Sequence, residues 1–226
     1  MRTFDEIFAI AAGRKGGPEA LEGMLSKPLP AAELAAIPDD RWLSMMAKCL
    51  FQAGFHWKVI EAKWPGFETA FEGFDPPRVA FYGGEEIDRL LSDKGIVRNG
   101  AKIMAMIENA RFLTDLAGEH GSAAKFFADW PADDFIGLME VLARRGSRLG
   151  GATGQRVMRW MGKESFILSK DVSARLVAEG VVAKPPTSKR DLAAVQTAFN
   201  SWKDQSGRSL TQISQVLAMS VGAMKT

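Results

Sequence analysis

Hydrophobic residues recur every three or four positions along most of the chain, which is the spacing of one face of an α-helix. The clearest stripes cover residues 42–50, 87–91, 103–110, 135–142, 157–161, 192–202 and 210–217. Strand-like alternation of apolar and polar residues is scarce. The pattern therefore predicts an all-α fold of roughly ten helices.

Helix start and stop signals agree with these stripes. Pro38-Asp39-Asp40 precedes the first stripe, and Pro131-Ala132-Asp133 precedes the fourth. Prolines forbid helix continuation in SKPLP (26–30), FDPPR (74–78) and AKPPTSK (183–189). We expect residues 1–38 to be an N-terminal extension, loosely tied over residues 1–30, and residues 39–226 to form the main domain.

Composition narrows the class of protein. The chain has 226 residues, 25% of them charged, and a net charge of +2. This near-neutral balance excludes a highly basic protein that coats nucleic acid and a protein with a disordered acidic tail. Cys49 is the only cysteine, and His56 and His120 are the only histidines, too few for a closed zinc site. We therefore expect neither a metal nor a cofactor.

The distribution of apolar residues also bears on location. No long apolar run is present, and the first residues lack the charge-then-apolar order of a signal peptide. We therefore expect a soluble cytoplasmic protein without membrane contact.

A glycine-rich segment separates two of the stripes and reads RLGGATGQR from Arg148 to Arg156. It is not a Walker loop, because Gly154 is followed by Gln155 and not by lysine. It is not a dinucleotide fingerprint either, because residues 135–145 before it have helical periodicity and no strand. The sequence predicts two helices joined by a glycine hairpin.

This hairpin lies in a basic part of the chain. Residues 144–163 contain six basic residues and no acidic one. Glycines let the backbone approach a phosphate, and the first N–H groups of the following helix can bind it. At this point a hairpin that grips the DNA backbone and an ordinary interhelical turn with a solvated basic face remain equally open.

An aspartate then follows the hairpin. Asp171 lies twenty residues after Gly151, beyond the second helix and an extended run. This arrangement resembles the helix-hairpin-helix DNA glycosylase superfamily, in which a catalytic aspartate follows the hairpin glycines at about this spacing. The C-terminal residues 199–222 also resemble the closing helices of that superfamily.

The first half of the chain carries a more specific resemblance. Residues 51–113 contain Gln-Ala-Gly-x-x-Trp, Ala-Phe-x-x-Phe-Asp-Pro and Gly-Ile-x-Arg in the order and spacing of the 3-methyladenine DNA glycosylase I family. The resemblance implies a two-lobed, all-α fold with a cleft between the lobes. It also implies a monomer that binds double-stranded DNA, flips out an alkylated purine such as N3-methyladenine and hydrolyses its N-glycosidic bond in base-excision repair.

The resemblance assigns candidate roles to individual residues. Asp171 would be the catalytic carboxylate, and Trp57 would stack on the flipped base. The other expected base-pocket residues are Cys49, Gln52, Phe55 and His56. The expected DNA-binding residues are Gly54, Arg148, Gly150, Gly151, Thr153, Gln155 and Arg156.

The sequence departs from the family at three places. Cys49 stands where the family has a base-reading glutamate, eight residues before Trp57. The ligands of the family's zinc clip are absent. Thr153 stands where members with lyase activity have a lysine, so we expect no Schiff-base chemistry there. Lys170, directly before Asp171, cannot be assumed to substitute.

These departures change what we expect of the pocket and keep other functions open. Without a carboxylate at position 49, we expect the pocket to recognise its base by stacking and shape. A non-catalytic DNA-damage binder of the same fold is the main alternative. An interaction module whose basic hairpin binds an acidic protein is a third hypothesis.

Overall fold

A computed structural model describes residues 1–222, which fold into fourteen α-helices without any strand. The all-α prediction is confirmed. In chain order the helices are α1 (Phe4–Lys15), α2 (Pro18–Glu22), α3 (Ala31–Ala35), α4 (Asp39–Gln52), α5 (Trp57–Ala70), α6 (Pro76–Ala80), α7 (Gly84–Ser92), α8 (Gly100–His120), α9 (Ala123–Asp129), α10 (Phe135–Arg145), α11 (Ala152–Trp160), α12 (Lys170–Ala178), α13 (Lys189–Ser206) and α14 (Leu210–Met219).

The predicted starts and breaks match this order. Helix α4 begins at Asp39, directly after Pro38, and residues 26–30 and 183–188 are non-helical. The prolines at 76 and 77 end one helical segment and begin the next, because proline fits the first turn of a helix. The count exceeds the predicted ten because α2, α3 and α6 have only five residues each, too few to show a periodic stripe.

The chain divides into two compact units. One contains Met1–Leu29, Pro131–Leu138 and the chain from Gly162 onward, and the other contains Pro30–Trp130 and Met139–Met161. None of the helices in residues 1–222 combines the length and apolar content that crossing a membrane requires.

The first unit includes the N-terminal helices. Helix α1 packs on α13 and α14, and Phe4 and Ile7 are fully enclosed. The main-chain N–H of Arg2 donates to the carboxylate of Glu179 at 2.8 Å, and the Trp202 indole donates to the Arg2 carbonyl at 3.1 Å. The expectation that the first 30 residues are loosely tied is therefore wrong for residues 1–29, because their apolar side chains complete this core. Whether residues 1–38 form a separate functional extension stays a prediction.

The second unit is built around α8. Side chains on most sides of this 21-residue helix are buried, which is typical of a helix surrounded by others. It packs against α4, α6, α7 and α9. Helix α4 packs in turn against α5 and α11. This second contact brings the glycine hairpin and the Gln-Ala-Gly-x-x-Trp motif to the same part of the unit.

Candidate functional site

The second unit contains a cavity of about 730 Å³, within the size range of small-molecule sites. Helices α4, α5 and α11 and the loop between α4 and α5 form its walls. The lining residues are Met45, Lys48, Gln52, Phe55, His56, Trp57, Glu61, Arg156 and Trp160.

Helical periodicity explains how three helices converge on one cavity. Residues three or four positions apart lie on the same helix face. Lys48 and Gln52 share a face of α4, Trp57 and Glu61 share a face of α5, and Arg156 and Trp160 share a face of α11. Each helix therefore presents a pair of lining side chains one turn apart.

Aromatic rings in this cavity are unusually accessible. Trp57 is 56% exposed and Trp160 is 47% exposed, whereas Trp42 and Trp202 are completely buried. Phe55, on the adjoining loop, is also exposed. Large aromatic side chains are normally covered in a monomer, so a group of exposed rings around one cavity is suited to stacking on a flat ligand.

A carboxylate lies among these rings. Glu61 accepts a hydrogen bond from the Gln52 side-chain amide at 3.1 Å, and its other oxygen lies 3.0 Å from the Lys48 ammonium. The sequence analysis considered a carboxylate only at position 49 and did not identify Glu61 as a lining residue. The signal in the sequence was the position of Glu61, one helical turn after Trp57.

Cys49 is placed differently from the sequence prediction. Its side chain is 1% exposed and does not line the cavity, because it points into the core next to α11. Burial raises the pKa of the Cys49 thiol to about 12, although the positive charge of Arg156 acts in the opposite direction. The predicted pocket residue Cys49 is thus an uncharged core residue.

The loop between α4 and α5 has a defined conformation. Gly54 follows the end of α4 with a φ of +81°, a backbone conformation that favours glycine. His56 caps α5, its ring nitrogen accepting from the main-chain N–H of Lys58 at 3.3 Å. The Lys102 ammonium donates to the Ala53 carbonyl at 2.6 Å and lies 4.6 Å from the centre of the Phe55 ring. Lys102 therefore holds the loop in place.

The predicted hairpin is a tight turn between α10 and α11. Asn109 of α8 fixes it through two hydrogen bonds: its amide donates to the Ser147 carbonyl at 3.0 Å and accepts from the Ser147 N–H at 2.7 Å. Sequence reasoning did not identify this contact. Gly151 and Arg148 both have positive φ values, of +58° and +57° respectively.

The glycines of this segment have different roles. A Cβ on Gly154 would overlap the carbonyl oxygen of Leu149, so α11 can begin beside the turn only with glycine there. A Cβ on Gly150 would meet nothing closer than Ala143 at 3.7 Å. Gly150 and Gly151 are exposed, whereas Gly154 and Gln155 are buried and Thr153 is half-buried.

The basic residues around the hairpin do not form one solvated face. Arg145 makes a two-pronged ion pair with Glu119, at 2.8 and 2.6 Å. Lys163 is buried, and burial lowers the pKa of Arg159 to about 10. Arg144, Arg148 and Arg156 are exposed. Half of the predicted positive charges are therefore available to a polyanion.

Asp171 belongs to the first unit and lies exposed in the first turn of α12. The N-cap of this helix is Ser169, whose hydroxyl accepts from the Val172 N–H at 3.2 Å. Asp171 is therefore not the residue that caps this helix. A carboxylate in a first turn is still favoured by the helix dipole.

No cluster of three or more potential metal ligands occurs in the part of the chain that the structure describes.

Part of the chain is similar in sequence to known proteins. Residues 36–137 match the family model for methyladenine glycosylase. The chain is 42% identical over 60 residues to DNA-3-methyladenine glycosylase 1 of Escherichia coli, and 33% identical over 60 residues to DNA-3-methyladenine glycosylase of Haemophilus influenzae. Each alignment covers 26% of this chain and 32% of the relative, so the chain matches about a third of the length of these curated relatives.

Solved structures extend the similarity in fold. A crystal structure of a mutant of 3-methyladenine DNA glycosylase I from Staphylococcus aureus has a TM-score of 0.51 at 21% identity, and covers 80% of this chain and 99% of that one. A second structure, of 3-methyladenine recognition by the S. aureus enzyme, has a TM-score of 0.50 at 22% identity, and covers 69% of this chain and 91% of that one. At these identities the likeness shows a shared fold.

The different surroundings of Gly154 and Gly150 generate a stability prediction. Gly154→Ala should lower the free energy of unfolding by about 1–3 kcal/mol, because the new methyl group overlaps backbone that cannot move aside. Gly150→Ala is the matched control and should change it by less than about 0.5 kcal/mol. Urea denaturation of both variants measures the difference. Equal losses would contradict the steric role of Gly154.

Proposed function

We propose, from the match of residues 36–137 to the family model for methyladenine glycosylase, that the chain is a DNA glycosylase of base-excision repair. Its substrate is double-stranded DNA that carries an alkylated purine such as N3-methyladenine. The reaction is hydrolysis of the N-glycosidic bond after the damaged base has been flipped into the cavity of the second unit.

The observation that carries this proposal is the pair of exposed tryptophans in the cavity. A base inside a duplex cannot be reached, so an enzyme that acts on it must unstack it, at a cost of a few kcal/mol. Stacking on an aromatic side chain returns roughly 1–3 kcal/mol per base. Trp57 and Trp160 present such faces on two different helices. A cationic base gains additional cation–π attraction.

In this proposal the hairpin binds the phosphates of the DNA backbone. Gly150 and Gly151 are exposed at the start of α11, where unpaired N–H groups can bind a phosphate. Arg148 and Arg156 lie exposed on either side of them and neutralise neighbouring phosphates. Such contacts fix the position of the protein on DNA without reading its sequence.

The proposed chemistry uses Asp171 and a water molecule. As the bond between C1′ and the base breaks, positive charge develops on the sugar, and the Asp171 carboxylate stabilises it. Water attacks C1′ and gives up a proton to the carboxylate. N3-alkylated adenine is already cationic, so it leaves with the bonding electrons as a neutral base and needs little acid catalysis. Thr153 cannot form a Schiff base, which favours hydrolysis over lyase chemistry.

One observation favours the alternative of a DNA-damage binder that does not cleave. The thiol of Cys49 is buried and uncharged, so it cannot act as the charged reader that the family has at this position. An assay of base release from alkylated DNA separates the two functions, since a binder retains affinity for the lesion without releasing the base.

Trp57 should be required for release of N3-methyladenine. Trp57→Ala is expected to lower single-turnover release by about fivefold to a hundredfold, the loss that corresponds to one stacking contact. Phe81→Ala is the control, because Phe81 is an 89% exposed aromatic residue of the same unit that does not line the cavity. Equal rates for the two variants would exclude Trp57 as the platform, and no release by the wild-type protein would favour the binder.

Asp171 should act on rate and not on affinity. Asp171→Asn removes the charge that stabilises the transition state, which typically costs about 10²–10³ in rate, or less for a cationic leaving group. Binding to lesion-containing DNA should be unchanged within about twofold. Because Ser169 caps α12, the thermal midpoint should also change little. Release at the wild-type rate would rule out Asp171 as the catalytic group.

Arg148 should contribute to DNA binding through its charge. Arg148→Ala is expected to weaken binding to DNA of any sequence and to reduce the slope of log affinity against log salt by about one unit. Arg145→Ala is the matched control, because Arg145 is already paired with Glu119 and should leave the slope unchanged. Fluorescence anisotropy titrations at several salt concentrations measure both slopes. Identical slopes for the two variants would indicate that the hairpin is an ordinary interhelical turn without a phosphate contact from Arg148.

A further inference from the structure

Glu61 is the one carboxylate among the residues that line the cavity in the described part of the chain. It lies on the same face of α5 as Trp57, one turn further along the helix. When a flat ligand stacks on Trp57, the Glu61 carboxylate therefore lies in the same cavity, where the edge of the ligand can contact it.

Two donors restrain the Glu61 side chain without saturating it. Gln52 donates to one carboxylate oxygen at 3.1 Å, and the Lys48 ammonium lies 3.0 Å from the other. An ionised carboxylate offers about four acceptor positions, two on each oxygen. Glu61 thus keeps acceptor capacity on both oxygens while its position is fixed from α4.

Glu68, on the same helix, differs from Glu61 in the number of protein hydrogen-bond donors that its carboxylate accepts from. One oxygen of Glu68 accepts from Arg41, Ser44 and Trp64, and the other accepts from Arg41. The acceptor positions of Glu68 are therefore occupied by hydrogen bonds that stabilise the fold. Glu61 has one protein donor per oxygen and is exposed towards the cavity, as a group that receives a further donor must be.

The ion pair with Lys48 does not by itself account for Glu61. Both side chains are partly exposed, and pairs of this kind contribute little to stability. The Lys48 ammonium also lies 4.9 Å from the centre of the Trp64 ring, which gives it a second partner. Lys48 can therefore shift between partners at low cost when a ligand hydrogen-bonds to Glu61.

We propose that Glu61 is a specificity-determining residue, which accepts a hydrogen bond from the exocyclic amine of a purine stacked on Trp57. The inference rests on the proposed function of the cavity and narrows its substrate class to purines that carry such an amine. A cavity that pairs a polar group with an amine rejects analogues without one, because the polar group is then left unpaired.

The test measures binding of free bases, so that it does not depend on excision. The affinities of 3-methyladenine and of 3-methylpurine, which lacks the amine, are determined by titration calorimetry for the wild-type protein and for Glu61→Met. Methionine keeps the length of the side chain but removes both acceptor oxygens. We expect the wild-type protein to prefer 3-methyladenine by about tenfold to a hundredfold, as for a hydrogen bond to a charged group, and Glu61→Met to lose the preference.

Two controls distinguish this role from a structural one. Lys48→Met removes the same ion pair but leaves the acceptor, so any loss of affinity should fall on both ligands alike. Glu108→Met removes an exposed carboxylate of α8 that does not line the cavity, and should change neither affinity. Thermal midpoints measured in parallel show whether each variant is folded.

The possible outcomes are decisive for Glu61. A preference that persists in folded Glu61→Met, or that is absent from the wild-type protein, overturns the inference. Absence of measurable binding of either base to the wild-type protein overturns it as well. The proposed function fails separately, if the wild-type protein binds 3-methyladenine with the amine preference but releases no base from alkylated DNA.

Discussion

The site depends on one close approach between backbone segments. At Gly154 the first turn of α11 lies against the carbonyl of Leu149, with no space for a side chain. This contact lets the chain reverse direction within a few residues after α10 and places α11 against α4. Arg156 and Trp160 reach the cavity because of that packing. The glycine segment thus builds one wall of the pocket, in addition to any contact it makes with DNA.

The three helices that line the cavity contribute different kinds of side chain. Helices α5 and α11 each contribute an exposed tryptophan, whereas α4 contributes the polar residues that restrain Glu61. Cys49 lies on the buried side of α4, where its small, uncharged thiol fills space in the core. A glutamate at that position would have to be accommodated within the core of this chain, where burial opposes a charge. The acceptor on α5 avoids that cost because it lies at the edge of the cavity.

Periodic features were predictable from the sequence, and contacts between distant segments were not. The stripes predicted the long helices and the all-α class, and the prolines predicted the breaks at 26–30 and 183–189, of which only Lys189 is helical. The motif around Gln52 and Trp57 identified one wall of the cavity. Trp160 and Glu61 were missed as lining residues, since only the packing of α11 and α5 on α4 brings them together. Asn109 was missed for the same reason: its partner Ser147 is 38 residues away.

The two non-helical segments next to the cavity are both restrained by side chains of α8. The loop that carries Phe55 and His56 is held by Lys102, and the turn before α11 is held by Asn109. Helix α8 packs against four other helices of its unit, so the segments attached to it are anchored to well-packed structure. A ligand entering such a cavity loses less free energy to ordering the protein than one that must order its loops. The exposed rings of Trp57 and Trp160 are the apolar surface that such a ligand would cover.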